Sequence, residues 1–337
     1  MFFLVPPYSS LFFLKKYIMN YRTLGRTNLQ VSEIGFGAWA IGGTSYGPTQ
    51  DEESLQALES AWANGVNFFD TADTYGHGHS EELLAKFVKN KPRDKVFIAS
   101  KAGWDFYHGG NKKNFDADYL RFACEESLKR LNVETLDVYQ LHNPSLEIIR
   151  RGEAVGVLEN LKMQGKIRFI GISIHTEADG LAAMEDPRVD TLQLVFNLLD
   201  QRMAENVLPE AVKKNIGVIA REPLACGLLS GKYKLGHEFH KQDHRRRFTP
   251  EMLALELEKI EKLRSVLATE RLSLPRAALE YVLDMEGVSS VIPGAKTPAQ
   301  VLENIQASED PKLRSQESYQ LRDLYRRELI FKKNGSS

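Results

Sequence analysis

Asp70 and Tyr75 share the segment FFDTADTYG, Lys101 closes the run VFIASK, and His142 closes DVYQLH. Brought together, these four side chains could deliver a proton to an oxygen. A free tyrosine, with a pKa of about 10, is a poor acid near neutrality. An ammonium about 4 Å away, at an effective dielectric of about 20, favours the phenolate by about 4 kcal/mol. At about 1.4 kcal/mol per unit, Lys101 is expected to lower the Tyr75 pKa by up to about three units, less an opposing effect of desolvation. Asp70 would keep Lys101 charged and in place, and His142 could orient a substrate oxygen. The expected result is a general acid that protonates an alkoxide as hydride arrives at carbon. Each residue alone also fits a structural role: a rim charge, an aromatic packed on a loop, or a plain ion pair.

For these residues to meet, the fold must carry them to one place. Short β-branched, apolar runs alternate along the chain with longer amphipathic stretches. The runs are Ile34–Gly37, Asn67–Asp70, Val96–Lys101, Asp137–His142, Ile167–Ser173, Thr191–Phe196, Ile216–Ala220 and Val288–Ile292. Between them, Glu52–Asn64, Asp118–Leu131, Arg151–Gln164, Ala204–Lys214 and Glu251–Thr269 carry apolar residues at helical spacing. Thr49 and Glu52 have the spacing of a capping box for the first helix. Strand–helix alternation implies an α/β fold with a parallel sheet. Eight such units in one chain imply a closed (β/α)8 TIM barrel rather than an open sheet. Barrels place chemistry at the C-terminal ends of strands. Asp70, Lys101, His142 and Ser173 each close a strand, and Gln193 lies inside TLQLVF.

Tyr21–Ser32 reads as a small N-terminal β-hairpin turning near Arg26–Asn28. Leu224 to Pro250 is long and polar, as a lid or a disordered loop would be. With no linker rich in Pro, Gly or Ser, a single domain over residues 19–333 is expected. Residues 1–18 are apolar but interrupted by Pro6 and Pro7. They are expected to be a disordered N-terminal extension or a start-site artefact.

The 337 residues are 42% hydrophobic and 26% charged, enough for one large core. A formal net charge of -1 gives no global pull toward nucleic acid or an anionic membrane. The apolar start is too short to span a bilayer. Two unpaired cysteines, Cys124 and Cys226, fit a reduced, cytoplasmic setting.

A second chemical feature follows the last strand, in IPGAKTPAQVLEN. Thr297 reads as an N-cap, Pro298 as the first helical residue and Gln300 as the capping partner. Such a turn points N–H groups at an anion, and Lys296 adds charge just before it. After the seventh strand, REPLACGLLSGKY supplies Gly227, Gly231 and Lys232, where backbone could approach a phosphate. A well-capped surface helix is the plainer alternative.

The stretches GVNFFDTADTYGHGHSEELL, VFIASK, LDVYQLHNP, GKIRFIGIS and VIPGAKTPAQVLENIQA resemble the aldo-keto reductase superfamily, and YRTLGRTNLQVSEIGFGAW resembles its usual opening. The resemblance runs in order from about Met19 to Ala307. It implies a barrel that binds NADP(H) in extended form and reduces a small-molecule carbonyl, aldehyde or ketone. By that resemblance Asp70, Tyr75, Lys101 and His142 form the catalytic tetrad, with Tyr75 as proton donor. Ser173 and Gln193 would hold the nicotinamide carboxamide. Gly227, Leu228, Ser230 and Lys232 would line the pyrophosphate path. Gly294, Lys296, Gln300, Glu303 and Asn304 would meet the cofactor toward its adenosine end. Trp39 and Trp104 would wall the substrate pocket.

Three positions depart from the family pattern. Ile174 replaces an asparagine beside the serine. Arg221 stands where many members stack a tyrosine on the nicotinamide, a role a guanidinium plane can also take. Gln300 stands where many have an arginine for the 2′-phosphate. Lys296 is the substitute, so NADPH is expected in preference to NADH.

Other signals are set aside. GFGAWA fits a loose dinucleotide fingerprint with no helix expected after it. His77 and His79 lack a third metal ligand, so no metal is expected. His237, His240 and His244 beside Arg245–Arg247 read first as a flexible, solvated loop and second as a contact to cofactor phosphates. One rival reading is a Schiff-base aldolase on Lys101, opposed by Asp70. Another is an NADP(H)-binding regulatory subunit like the potassium-channel β-subunits of the superfamily. Oligomeric state is open, a homo-oligomer included.

Overall fold

The computed structural model describes residues 18–43, 45–110, 112–267, 272–309 and 312–332. The expected extension over residues 1–18 lies, Ile18 apart, outside them. The chain opens with an antiparallel hairpin, β1 (Tyr21–Thr23) and β2 (Gln30–Ser32). Its turn is a 3-10 segment, Gly25–Thr27, with Asn28 in the left-handed region, as expected near Arg26–Asn28.

Eight parallel strands follow: β3 (Phe36–Gly37), β4 (Phe68–Asp70), β5 (Phe97–Ala102), β8 (Leu136–His142), β9 (Ile167–Ser173), β10 (Thr191–Val195), β11 (Gly217–Arg221) and β12 (Val288–Ile292). A two-stranded ribbon, β6 (Trp104–Asp105) with β7 (Lys112–Lys113), extends the loop after β5. Each barrel strand pairs with the next in order. Between first and last, Ile34 bridges to Val291 and Gly37 to Gly294. The Gly35 N–H donates to Val291 O at 2.7 Å across that seam. The sheet is thus the expected (β/α)8 barrel.

Burial explains the strand composition. All seven residues of β8 are buried, because helices cover the outside and side chains fill the inside. Inside, Phe68, Ala99, Val138, Ile219 and Ile292 form a compact core with Leu24, Leu29 and Val31 of the hairpin. The hairpin therefore plugs the N-terminal end. Gly25 has φ +50°, and a Cβ there would collide with the backbone nitrogen of Gly217.

Boundaries differ where local chemistry intervenes. The first helix starts at Asp51 after Gln50, with no side-chain cap, so the expected Thr49–Glu52 box does not form. Asp51, Glu52 and Glu53 instead place three carboxylates against the helix dipole. The helix expected from Arg151 starts instead at Glu153 and runs to Met163, and a short helix that was not expected, Leu146–Arg151, precedes it, the two parted by Gly152 in the left-handed region (φ 68°). Among the described residues no helix is long and apolar enough to cross a membrane.

Candidate active site

Register sets the site. Asp70 pairs with Ala99 across β4 and β5, and Lys101 lies two residues on, on the same face and one layer nearer the strand ends. Lys101 pairs with Gln140. Above them, His142 pairs with Ser173 and Ser173 with Gln193, making one cross-strand row.

Lys101 is wholly buried, and its ammonium has three partners. It donates to Asp70 Oδ2 and Thr71 O, both at 2.7 Å, and reaches the Tyr75 hydroxyl at 3.4 Å. Burial works against its charge, but Asp70 and then Tyr75 outweigh it and lift Lys101 above its ordinary value. A charged, three-fold-bound lysine is a poor Schiff-base nucleophile, which removes support from the aldolase reading.

Tyr75 departs from expectation. Desolvation raises its pKa and is the larger effect; Lys101 pulls it down, and Asp70 pushes it up again. The net direction is upward, so the phenol stays protonated. The error lay in weighing one nearby cation against a burial that sequence does not reveal. His142 is buried edge-on to Tyr75, ring centroids 6.0 Å apart. Burial, then the charges of Lys101 and Arg221, hold its pKa well below the ordinary value, so the ring is neutral.

The strand ends open into a cleft of about 720 Å³. Asp70, Tyr75 and His142 lie at one end with Trp39 and Trp104. Trp39 stacks on Tyr75 at 5.8 Å and donates to Ser45 Oγ at 2.9 Å. Gln193, bonded to Asp70, lines the cleft beside them, and Arg221, Gly227, Ser230, Lys232, Gly294, Lys296, Gln300, Glu303 and Asn304 line the remainder. The cleft thus gathers nearly every residue singled out from the sequence. Ser173 is buried and hydrogen-bonded to cleft-lining Asn143. Leu228 is buried and borders a separate cavity of about 80 Å³ behind the loop, so its side chain does not face the cleft.

Arg221 ends β11. It pairs with Glu222 and donates to Ile174 O and His175 Nδ1, both at 3.3 Å; its Nε is buried with no partner among the described residues. At the other end, Thr297 Oγ1 accepts from Gln300 N at 3.3 Å, as expected of an N-cap. Gln300 Oε1 accepts from Lys296 N at 2.8 Å, one residue before the cap.

The loop from Leu224 to Pro250 is structured; Arg246 and Arg247 are exposed, as the solvated reading expects, whereas Arg245 is half-buried, which corrects that reading for it alone. Arg245 is held by Asp243, Tyr233 and Cys226 O, its guanidinium 4.9 Å from the Tyr46 ring centre. Arg245 and Arg247 both line the cleft. His244 packs tilted against Trp39, ring centroids 4.7 Å apart, and bonds through Nδ1 to Ser45 O at 2.6 Å. Lys296 Nζ donates to the carbonyls of Tyr46, Gly47 and Pro48. The loops after β3, β11 and β12 are therefore tied together over the cleft. Tyr46, Asn143, His175, Glu222 and Cys226 also line it and were not anticipated. Asn143 adjoins His142 in LHNP, and Glu222 and Cys226 adjoin Arg221 and Gly227, so position in the sequence hinted at these three.

Residues 33–326 match the model of the Aldo/keto reductase family. The chain is 31% identical over 290 residues to the aldo-keto reductase YhdN of Bacillus subtilis, covering 84% of this chain and 87% of that protein. It is 29% identical over 300 residues to an NADH-specific methylglyoxal reductase of Escherichia coli, covering 84% of this chain and 92% of that one. The fold matches the holo form of the aldo-keto reductase AKR11C1 from Bacillus halodurans with a TM-score of 0.77 and 29% identity, over 91% of this chain and 96% of that one.

Proposed function

Because this chain belongs to the aldo/keto reductase family, a family of oxidoreductases, we propose that it reduces an aldehyde or ketone to an alcohol with NADPH, Tyr75 being the proton donor. The carrying observation is the Tyr75 hydroxyl, reached by the Lys101 ammonium at 3.4 Å in the cleft that His142 also lines.

The residues present fit a nicotinamide dinucleotide. Gln193 Oε1 is a buried acceptor with no partner among the described residues, at the tetrad end of the cleft. At the far end, the N-terminus of helix Pro298–Ile305 combines with Lys296 and the nearby charge of Arg245 in a setting suited to phosphate. Ser173, Gln193 and Arg221 would hold the nicotinamide end. Gly227, Ser230, Lys232 and the Leu228 backbone would follow the pyrophosphate. Gly294, Lys296, Gln300, Glu303 and Asn304 would take the adenosine end. A reduced nicotinamide bound there supplies the hydride.

The chain's own residues handle the proton. Tyr75 gives its phenolic proton to the carbonyl oxygen as that oxygen gains charge. Lys101 stabilises the phenolate left behind, and Asp70 keeps the ammonium in place. Neutral His142 orients the carbonyl oxygen, and Trp39 and Trp104 wall the substrate.

NADPH is favoured by the charge at the adenosine end. Burial and then Arg245 depress the Lys296 pKa, so an added anion such as a 2′-phosphate would relieve that repulsion. The regulatory-subunit alternative gains no support from relatives named as reductases. The test is NADPH oxidation against a panel of aldehydes and ketones, with Tyr75→Phe beside the natural chain. Loss of a general acid costs about 10²- to 10⁴-fold in rate. Turnover should fall by that order while cofactor still binds; unchanged turnover would remove Tyr75 from the role.

A further inference from the structure

Beside the tetrad, the strand ends hold polar atoms that proton delivery leaves unused. Asn143 follows His142 out of β8 and lies in the left-handed region, φ 57°. Its backbone is clamped on both sides: its N–H donates to Ser173 O at 3.1 Å, and its carbonyl accepts from Lys113 Nζ at 2.8 Å. Its side chain lies against Ser173, whose Oγ donates to Asn143 Oδ1 at 2.8 Å.

These bonds fix the polarity of three groups. The single hydroxyl proton of Ser173 points to Asn143, so Ser173 Oγ presents only lone pairs elsewhere. Gln193 turns Nε2 to Asp70 Oδ1 at 2.7 Å, which leaves Oε1 as a buried acceptor with no partner among the described residues. Asn143 Oδ1 is occupied, so Nδ2 remains as a donor at the cleft wall. Two acceptors and one donor are the complement of a primary carboxamide, whose NH2 gives two hydrogens and whose carbonyl accepts one.

We infer that Asn143 positions the nicotinamide ring by donating Nδ2–H to the carboxamide oxygen, while Ser173 Oγ and Gln193 Oε1 accept from the carboxamide nitrogen. The inference rests on the nicotinamide reading above. A carboxamide read at both ends cannot rotate by half a turn without setting donor against donor and acceptor against acceptor. Asn143 thereby selects which face of the ring is presented toward Tyr75 and His142.

Asparagine also tolerates the left-handed backbone, so the test must separate conformation from hydrogen bonding. Asn143→Gly keeps the backbone at ease and removes the amide. Asn143→Asp keeps the shape and replaces the donor by an acceptor. Binding is read by fluorescence titration with NADPH, NADH and their 3-acetylpyridine analogues, which keep the carbonyl but carry a methyl group in place of NH2. Asn143→Gly is expected to weaken natural cofactor and analogue equally, by about 3- to 10-fold, the worth of one hydrogen bond. Asn143→Asp should weaken both further. The inference is overturned by an Asn143→Gly protein that binds both as the natural chain does, or that loses affinity only for the natural cofactor, which would place Asn143 on the nitrogen. A natural chain that binds none of the four overturns the nicotinamide reading itself, and the inference with it.

Discussion

Gln193 Nε2 donates to Asp70 Oδ1 at 2.7 Å, on the carboxylate whose other oxygen holds Lys101 at 2.7 Å. One aspartate thus orients both the lysine beside Tyr75, the proposed proton donor, and the amide proposed to hold the cofactor. Gln140 Nε2 adds a longer contact to the same Oδ1, at 3.3 Å.

Asp70→Asn should therefore damage two properties at once. Removing one partner of a buried ion pair costs about 3–5 kcal/mol, because the other charge stays buried and uncompensated. Urea unfolding should show a loss of that order. Cofactor titration should show weaker binding, since an asparagine no longer dictates the orientation of Gln193. A variant as stable as the natural chain would mean that Lys101 does not depend on Asp70.

The pH dependence follows from the directions of two shifts. Tyr75 is raised by burial, so the phenol, the acid proposed for reduction, persists above the ordinary tyrosine value of about 10. The rate of reduction should stay level through neutrality and fall only beyond that range. Alcohol oxidation needs the phenolate and should rise with pH instead. His142 is depressed by burial and Lys101, so kcat/KM should hold below a pH of about 6.5 before the ring gains a proton. Steady-state kinetics across pH checks both limbs; a decline of reduction between neutrality and pH of about 9 would contradict the raised phenol.

Lys296→Met should separate the two cofactors. A charge-assisted hydrogen bond is worth about 1.5–3 kcal/mol, or roughly 10- to 150-fold in affinity. NADPH binding should weaken by that order and NADH binding by less than about threefold. Equal losses would show that Lys296 serves only to hold the carbonyls of Tyr46, Gly47 and Pro48.

Gly25→Ala should cost stability and leave catalysis alone. The added Cβ meets the backbone of Gly217, and the positive φ is unfavourable for alanine. Strain and overpacking together suggest a loss of about 2–5 kcal/mol. Thermal unfolding measures it, and an unchanged midpoint would mean that the hairpin packs less tightly against β11 than described.

Much of this molecule was legible beforehand because burial leaves a strong imprint. Strands covered on both faces need continuous apolar runs, and helices on a barrel need one apolar stripe, so the eight units stood out. Polar residues closing such runs, Asp70, Lys101 and His142, were conspicuous by contrast. What depended on distant partners was not legible. The direction of the Tyr75 shift turns on how much protein surrounds it. Arg245 reads as solvated because it stands in a long polar stretch beside Arg246 and Arg247, whereas the Tyr46 and Tyr233 rings that hold it come from elsewhere in the chain. The helix Leu146–Arg151 has only six residues, too few for an apolar stripe to show in the sequence. Asn143 gains meaning only from Ser173, which arrives on another strand.

The hairpin plug has a further effect, on traffic. Leu24, Leu29 and Val31 fill the floor of the barrel with Phe68 and Ile219, so the pocket is a cul-de-sac. Tyr75 lies in that pocket with Trp39 stacked against it. As the proton donor proposed above, it would draw its replacement hydrogen down the same corridor by which the alcohol leaves. Departure and recharging share one doorway, and whatever slows the first delays the second.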